Sequence, residues 1–175
     1  MKGNNIILIG MMGAGKSTVG KCLNNLLKDY SFVDIDSKIE EDEGISIPEI
    51  FKRYTETGFR RIESLTIEEV CKNSNLIIST GGGAFEGENN RNVLLNSGKV
   101  FYLYADSQTL YDRIKTEGNR PMLNCENPLK VFTDLLDKRD KNYRKADYII
   151  DTSSLTPELA AKEILRRVNE TVDIS

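Results

Sequence analysis

Apolar residues along this chain alternate between short uninterrupted runs and longer stripes with helical spacing. Ile6-Ile7-Leu8-Ile9, Leu76-Ile77-Ile78 and Val100-Phe101-Tyr102-Leu103 are runs of strand length, the pattern of strands buried on both faces of a parallel sheet. Phe32-Val33-Asp34-Ile35-Asp36 and Tyr148-Ile149-Ile150 read as two further strands. Between them lie helical stripes. Lys16 to Lys28 presents Val19, Leu23, Leu26 and Leu27 on one face. Ser46-Ile47-Pro48-Glu49 has the S-x-x-E spacing of a capping box and opens a two-turn helix with Ile50 and Phe51. Helix resumes at Gly58 and runs through Phe59, Ile62, Leu65 and Val70 to near Asn73. A shorter helix with Val93, Leu94 and Leu95 closes at Gly98, read as a C-terminal glycine. Asp106 caps a helix that runs to Lys115 and ends at Gly118; a charged helix covers Leu129 to Lys145, and Thr156-Pro157 opens the last. Five strands alternating with helices predict an α/β fold, a three-layer α/β/α sandwich around a five-stranded parallel sheet.

Composition narrows the possibilities. A chain of 175 residues fits one domain. A net charge of −3 argues against general affinity for nucleic acid, and no apolar run is long enough to span a bilayer. The N-terminus enters the first strand without a signal-peptide core, so a cytoplasmic protein is expected. No histidine is present, which excludes His acid–base chemistry and His-containing zinc sites. Cys22, Cys71 and Cys125 lie far apart without a C-x-x-C pair, as in a reducing compartment.

Gly10-Met11-Met12-Gly13-Ala14-Gly15-Lys16-Ser17, between the first strand and the first helix, fits G-x-x-x-x-G-K-[ST]. Glycines let the backbone curl until several N–H groups face one anion, and the new helix aims its positive end at the same point. Lys16 adds a mobile charge for the outer phosphates, and Ser17 a hydroxyl for Mg²⁺. In open parallel sheets ligands bind outside the carboxyl ends of the strands. Those ends carry this loop, Asp34 and Asp36, and Gly81-Gly82-Gly83, so all are expected to face one crevice. If the second strand stayed extended, Asp34 and Asp36 would point the same way. The third strand lacks a terminal Asp, which makes Asp34 the candidate carboxylate for Mg²⁺. With no N-K-x-D guanine-reading motif, and too little chain for a motor's accessory elements, a small-molecule kinase is the leading reading. Glu117 to Pro128 is polar and turn-rich and reads as a mobile loop.

The motifs together resemble the shikimate kinase family over essentially the whole chain. G-M-M-G-A-G-K-S-T in the loop, D-I-D-S-K-I-E after the second strand, F-R-R-I-E at Phe59 to Glu63, T-G-G-G-A at Thr80 to Ala84, R-P-M-L at Arg120 to Leu123 and the K-R-D-K-N-Y segment with Arg139 carry the resemblance. One departure stands out: Thr55-Glu56 occupies the place where the family has a Gly-Glu pair.

The resemblance implies a P-loop NTPase fold of the nucleoside-monophosphate-kinase type, with a single kinase domain over 1–175. Its core would be 1–35, 74–112 and 128–175, its substrate-binding region about 36–73, and its mobile lid about 117–128. It implies transfer of the ATP γ-phosphoryl group to the 3-hydroxyl of shikimate, giving shikimate 3-phosphate and ADP in aromatic amino-acid biosynthesis. Lys16, Asp36 and Arg120 are then catalytic. Gly13, Ala14, Gly15, Lys16, Ser17, Thr18, Arg113, Arg120 and Pro157 bind ATP; Asp36, Arg60, Gly82 and Arg139 bind shikimate; Ser17 and Asp34 hold Mg²⁺. Adjacent helical residues point about 100° apart, so only one of Arg60 and Arg61 can easily face inward; Phe59, Ile62 and the match to the family motif favour Arg60. A monomer that engages neither nucleic acid nor membrane is expected. Two rival readings are a kinase of the same fold acting on gluconate or a nucleoside monophosphate, and a catalytically silent relative that senses nucleotide or shikimate. The first should lack the Arg60–Arg139 carboxylate clamp, and the second should lose the lysine, the aspartate or the lid arginine; this chain keeps them all.

Overall fold

The computed structural model describes residues 3–115 and 126–170. Its elements, in chain order, are β1 (Asn5–Ile9), α1 (Lys16–Leu26), β2 (Ser31–Asp34), α2 (Ile35–Glu43), α3 (Ile47–Val70), β3 (Leu76–Ser79), α4 (Glu88–Ser97), β4 (Gly98–Tyr104), α5 (Ser107–Ile114), α6 (Pro128–Tyr143), β5 (Tyr148–Asp151) and α7 (Pro157–Glu170). The five strands form one parallel sheet in the order β2-β3-β1-β4-β5. β1 lies at its centre and is buried at every position. Right-handed crossovers assign the helices to faces. The step from β1 to β2 runs one way along the sheet and every later step runs the other, so α1 lies on one face and α2 to α6 on the opposite one. The packing agrees: α1 meets α7, α2 meets α3, α3 meets α4, and α5 meets α6. The expected three-layer α/β/α architecture is the one observed.

β1 and β3 are neighbours, with Ile7 opposite Ile78 and Leu8 opposite Ser79. Thr80 continues the pairing through its N–H and hydroxyl, which donate to the Leu8 carbonyl at 3.2 and 3.1 Å. The loops that leave these two strands are therefore held side by side, where the sequence of connections reverses direction, as ligand crevices in open sheets require.

Several local expectations are corrected. Residue 35 already begins α2, so the second strand ends at Asp34 and Asp36 sits in a helical turn rather than on extended chain. The acidic stretch 37–43 is that helix, closed by Gly44 at φ 68°. Ser46 makes no side-chain cap; Glu40 reaches over from α2 and accepts the Ile47 N–H at 2.8 Å instead. Gly98 is not a left-handed helix end: its φ is 171°, and α4 passes directly into β4. There a Cβ on Gly98 would strike the Asn5 carbonyl of β1. Leu26 and Leu65 are 45% and 58% exposed, off the buried stripes formed by Val19 and Leu23 and by Phe59, Ile67 and Val70. Asp106 and Thr156 cap as expected, accepting the N–H groups of Thr109 and Leu159. α5 ends at Ile114 with Lys115 as its C-cap; Gly118, expected to terminate it, lies outside the described residues.

α3 is bent. Thr55 has φ 60° and ψ −180°, inside a segment that is helical on either side. This backbone region is almost reserved for glycine, and Thr55 stands where the resembled family has glycine. In a straight helix Phe51 and Phe59, eight residues apart, would be separated by about 12 Å along the axis. The bend instead stacks their rings with centroids 4.5 Å apart. Holding a β-branched residue in this conformation costs about 1–3 kcal/mol, and glycine's larger unfolded-state entropy returns about 0.5–1 kcal/mol of any gain. Thr55→Gly is therefore expected to raise the unfolding free energy in urea by about 1 kcal/mol. A loss of stability in that variant would show that the bend carries no strain.

Candidate active site

The phosphate loop is shaped by left-handed glycines. Gly13 and Gly15 have φ 82° and 81°, and Gly15 occupies the position before α1, so the first N–H groups of that helix open into the crevice. Lys16 folds back across the loop, its Nζ donating to the carbonyls of Gly10 and Met11 at 3.0 Å each. Beside it, Ser17 Oγ donates to Asp34 Oδ2 at 2.6 Å and lies 3.2 Å from Ser79 Oγ. The other oxygen of the same carboxylate, Asp34 Oδ1, accepts the Ser37 N–H and caps α2. Capping of that helix thus belongs to Asp34, and Asp36 is left to face the crevice. Oxygen donors of this kind suit a hard cation such as Mg²⁺, which keeps most of its water and uses one or two protein groups. Among the described residues there is no cluster of three or more acidic or thiol side chains that could form a closed metal cage.

Across the crevice, α3 brings Arg60 inward and leaves Arg61 exposed. Arg60 Nη1 donates to Glu63 Oε2 at 2.7 Å, one helical turn away, and its guanidinium lies 5.2 Å from the Phe59 ring centroid. Glu63 is buried. Burial raises the pKa of its carboxyl, and Arg60 opposes the rise. Arg139 comes from α6; it has no carboxylate partner among the described residues, and its Nη1 lies 3.7 Å from Met11 Sδ. Two guanidiniums, one paired and one without a counter-ion among the described residues, therefore face the same space.

Gly81-Gly82-Gly83, after β3, is where these groups meet. A Cβ on Gly81 would lie 2.8 Å from Asp36 Oδ1 and 3.0 Å from Glu63 Oε1. On Gly82 it would lie 3.4 Å from Arg139 Nη1, and on Gly83 it would overlap the Arg60 guanidinium. The triple glycine is not a mere break in the strand; it is the room that the charged groups occupy. Asp36 Oδ1 and Glu63 Oε1 are both buried without a hydrogen-bond partner among the described residues. Burial, then the neighbouring Asp34, pushes the Asp36 pKa up, while Lys16 and Arg60 pull it down.

All of this lines one cleft of about 560 Å³, shared by Gly13, Gly15, Lys16, Ser17, Thr18, Asp34, Asp36, Arg60, Gly82, Arg113 and Arg139. Ala14 and Pro157 line an adjoining cavity of about 160 Å³, to which Gly13, Thr18 and Arg113 also contribute. Arg113 bridges the two, donating to the Thr152 carbonyl at 2.7 Å and to the Gly13 carbonyl at 3.4 Å. Arg120 and Cys125, and with them most of the lid expected at 117–128, lie outside the described residues. Sequence reasoning missed Glu63, although its i,i+3 spacing from Arg60 was a usable signal. Ser79, which touches Ser17 from the neighbouring strand, had no such signal.

A phosphate loop on one wall and a pocket with a carboxylate and two arginines on the other define a kinase of the P-loop class that acts on a small acceptor. A family model described as shikimate kinase matches residues 12–169. A shikimate kinase of Thermodesulfovibrio yellowstonii is 41% identical over 162 residues, covering 93% of each chain. A solved shikimate kinase from Acinetobacter baumannii in complex with shikimate superposes with a TM-score of 0.91 at 39% identity, over 97% of this chain and 94% of that one. The chain belongs to the shikimate kinase family and is an ATP-dependent kinase. A gluconokinase from Sinorhizobium meliloti also superposes, with a TM-score of 0.62 at 18% identity over 98% of this chain and 96% of that one, which shows the fold alone. No helix among the described residues is long and apolar enough to cross a membrane.

The raised Asp36 pKa has a consequence for stability. A carboxyl that holds its proton more tightly when folded loses folding free energy as pH rises from the ordinary carboxylate range, about 4, through the raised value. Asp36→Asn removes that loss. The variant is expected to unfold at higher urea concentration than the parent near neutral pH, with the gain vanishing below about pH 4. An equal gain at both pH values would assign the effect to something other than the charge.

Proposed function

We propose that this protein transfers the γ-phosphoryl group of ATP to the 3-hydroxyl of shikimate, with the roles of its residues as follows. The observation that carries the reading is that Asp36, Arg60 and Arg139 converge on the Gly81–Gly83 turn, opposite the phosphate loop, in one cleft. A hydroxylated acid fits there: Arg139 meets its carboxylate without a competing ion pair, and Arg60 offers a planar guanidinium already oriented by Glu63. Gly82 contributes its N–H to a ring hydroxyl. A nucleoside monophosphate has no carboxylate for Arg60 and Arg139 to clamp; gluconate has one, and turnover separates it from shikimate. A silent nucleotide sensor gives none for a desolvated carboxylate facing the phosphate loop.

ATP lays its triphosphate along the N–H groups of Gly13 to Thr18, and its base and sugar toward the cavity of Arg113 and Pro157. Lys16 leaves the Gly10 and Met11 carbonyls for the outer phosphates. When bound between Ser17 and Asp34, Mg²⁺ would neutralise charge on the phosphate oxygens. Asp36 accepts a hydrogen bond from the 3-hydroxyl and aligns its oxygen with the γ-phosphorus. As the new P–O bond forms and the bond to the β-phosphate bridging oxygen breaks, the hydroxyl proton passes to Asp36 and ADP departs. The raised pKa of Asp36 makes it a better proton acceptor than an ordinary carboxylate. Arg120 is read as the lid group that meets the transferring phosphoryl, on the resemblance of its R-P-M-L motif. In the same reading residues 36–73 form the acceptor-binding region, and the protein is a cytoplasmic monomer with free Cys22 and Cys71.

ADP release measured with ATP and Mg²⁺ against shikimate, gluconate and nucleoside monophosphates tests the acceptor. Turnover confined to gluconate or a nucleotide would overturn the reading. Asp36→Asn is expected to lower kcat by about 10²–10⁴-fold while leaving ATP binding intact. The acid limb of kcat/KM should fall above the ordinary carboxylate range, because Asp36 must be ionised to take the proton. Arg60→Lys should raise the KM for shikimate by about tenfold or more, since a point charge cannot form a bidentate pair.

A further inference from the structure

The glycine turn after β3 has three consecutive carbonyls on residues with the greatest backbone freedom, and each is held differently. The Gly81 carbonyl accepts the Ala84 N–H at 3.1 Å, and the Gly83 carbonyl accepts the Glu86 N–H at 3.1 Å. Both bonds are local and close the turn upon itself. The middle carbonyl, that of Gly82, accepts from the hydroxyl of Tyr143 at the end of α6.

Tyr143 is fully buried, and its ring packs against Tyr102 with centroids 4.9 Å apart. Its position on α6 is four residues after Arg139, so both side chains leave the same face of that helix. One reaches the Gly82 carbonyl and the other comes within 3.4 Å of the place a Gly82 Cβ would take. A planar trans peptide cannot turn the Gly82 carbonyl without turning the Gly83 N–H that shares its plane. Fixing the Gly82 carbonyl thus sets the torsions on either side of it. It also fixes the distance between the turn and the guanidinium that shares the helix. Tyr102 makes a useful contrast. Its hydroxyl donates to Asp140 Oδ1 at 2.9 Å, within the same aromatic pair but away from the turn.

We propose that Tyr143 is a positioning residue for the acceptor: its hydroxyl anchors the Gly82 carbonyl and thereby keeps the glycine turn and the Arg139 guanidinium in register for one substrate. The inference rests on the acceptor site described above. Tyr143 does not line the cleft, and it acts on the acceptor side alone. The hydroxyl is removed without changing the shape of the ring by Tyr143→Phe, which keeps the stack on Tyr102.

Steady-state kinetics of Tyr143→Phe should show the shikimate KM raised about tenfold, the size expected for one lost positioning hydrogen bond. The ATP KM should stay within about twofold of the parent. Tyr102→Phe, which breaks the other hydroxyl bond of the pair, should leave the shikimate KM unchanged. Amide hydrogen exchange without substrate supplies a readout independent of turnover: the amides of Ala84 and Glu86, whose hydrogen bonds close the turn, should exchange faster in Tyr143→Phe and not in Tyr102→Phe. An unchanged shikimate KM in Tyr143→Phe would overturn the proposal. So would a parallel loss for both substrates, or an equal effect from Tyr102→Phe, because each points to general loosening of α6. Should Tyr143→Phe fail to fold, Tyr143 would be a residue of the core and the proposal would fall. If the parent enzyme itself did not turn over shikimate, the acceptor reading would fail instead, while faster exchange at Ala84 and Glu86 in Tyr143→Phe would still report the anchor.

Discussion

Three residues without side chains, Gly81 to Gly83, leave the space into which the charged groups of this site are packed. Asp36 and Glu63 press on the first, Arg139 on the second and Arg60 on the third. These groups come from α2, α3 and α6, elements far apart in the chain. Asp36, Glu63 and Arg60 could not come so close to a backbone bearing Cβ atoms, whereas Arg139 stands at ordinary contact distance. The turn in turn depends on the sheet, because Thr80 ties the end of β3 to Leu8 of β1, and the phosphate loop begins where β1 ends.

The electrostatics of the cleft follow from that crowding. Two carboxylates with buried, unpartnered oxygens stand beside a single backbone position. Desolvation raises both of their pKa values, and the cations around them limit the rise. A fully hydrogen-bonded carboxylate would be a poor proton acceptor, and a solvated one would be a weaker base. Leaving these oxygens unpaired among the described residues weakens the fold at this point; in the proposed reading it keeps Asp36 ready to accept a hydrogen bond from the substrate hydroxyl. The bend at Thr55 belongs to the same compromise. It brings Phe51 over Phe59, against which the Arg60 guanidinium rests, and it does so through a backbone conformation ill suited to threonine.

Much of this is legible in the order of residues alone. Uninterrupted apolar runs mark the strands, because a parallel strand is covered on both faces and has no polar side to show. The phosphate loop is legible because its function lies in the local backbone, so the glycine spacing and the following helix describe it nearly in full. Helical geometry allows only one of Arg60 and Arg61 to face inward, and the neighbouring Phe59 and Ile62 together with the family motif select Arg60. Legibility is poorer where one element supplies another's need. Glu40 of α2, rather than Ser46, satisfies the first N–H of α3. Gly98 proves to be a point of close strand approach, not a helix cap. Asp36 lies on a helix because the chain turns two residues earlier than its apolar pattern suggests.

Local spacing and contiguous motifs were enough to determine the layered α/β fold, the triphosphate loop and the set of residues that mark the family. Tertiary structure alone decided how those residues divide the work. It gave Asp34 the cap and the contact with Ser17, and left Asp36 desolvated. It buried Glu63 behind Arg60 while leaving Arg139 without a counter-ion among the described residues, and it brought the Tyr143 hydroxyl to the Gly82 carbonyl. The physical reason is that desolvation and pairing depend on which groups share a few cubic ångströms. Residues far apart in the chain, such as Tyr143 and Gly82, come to share that space only when the sheet has set its strands in order.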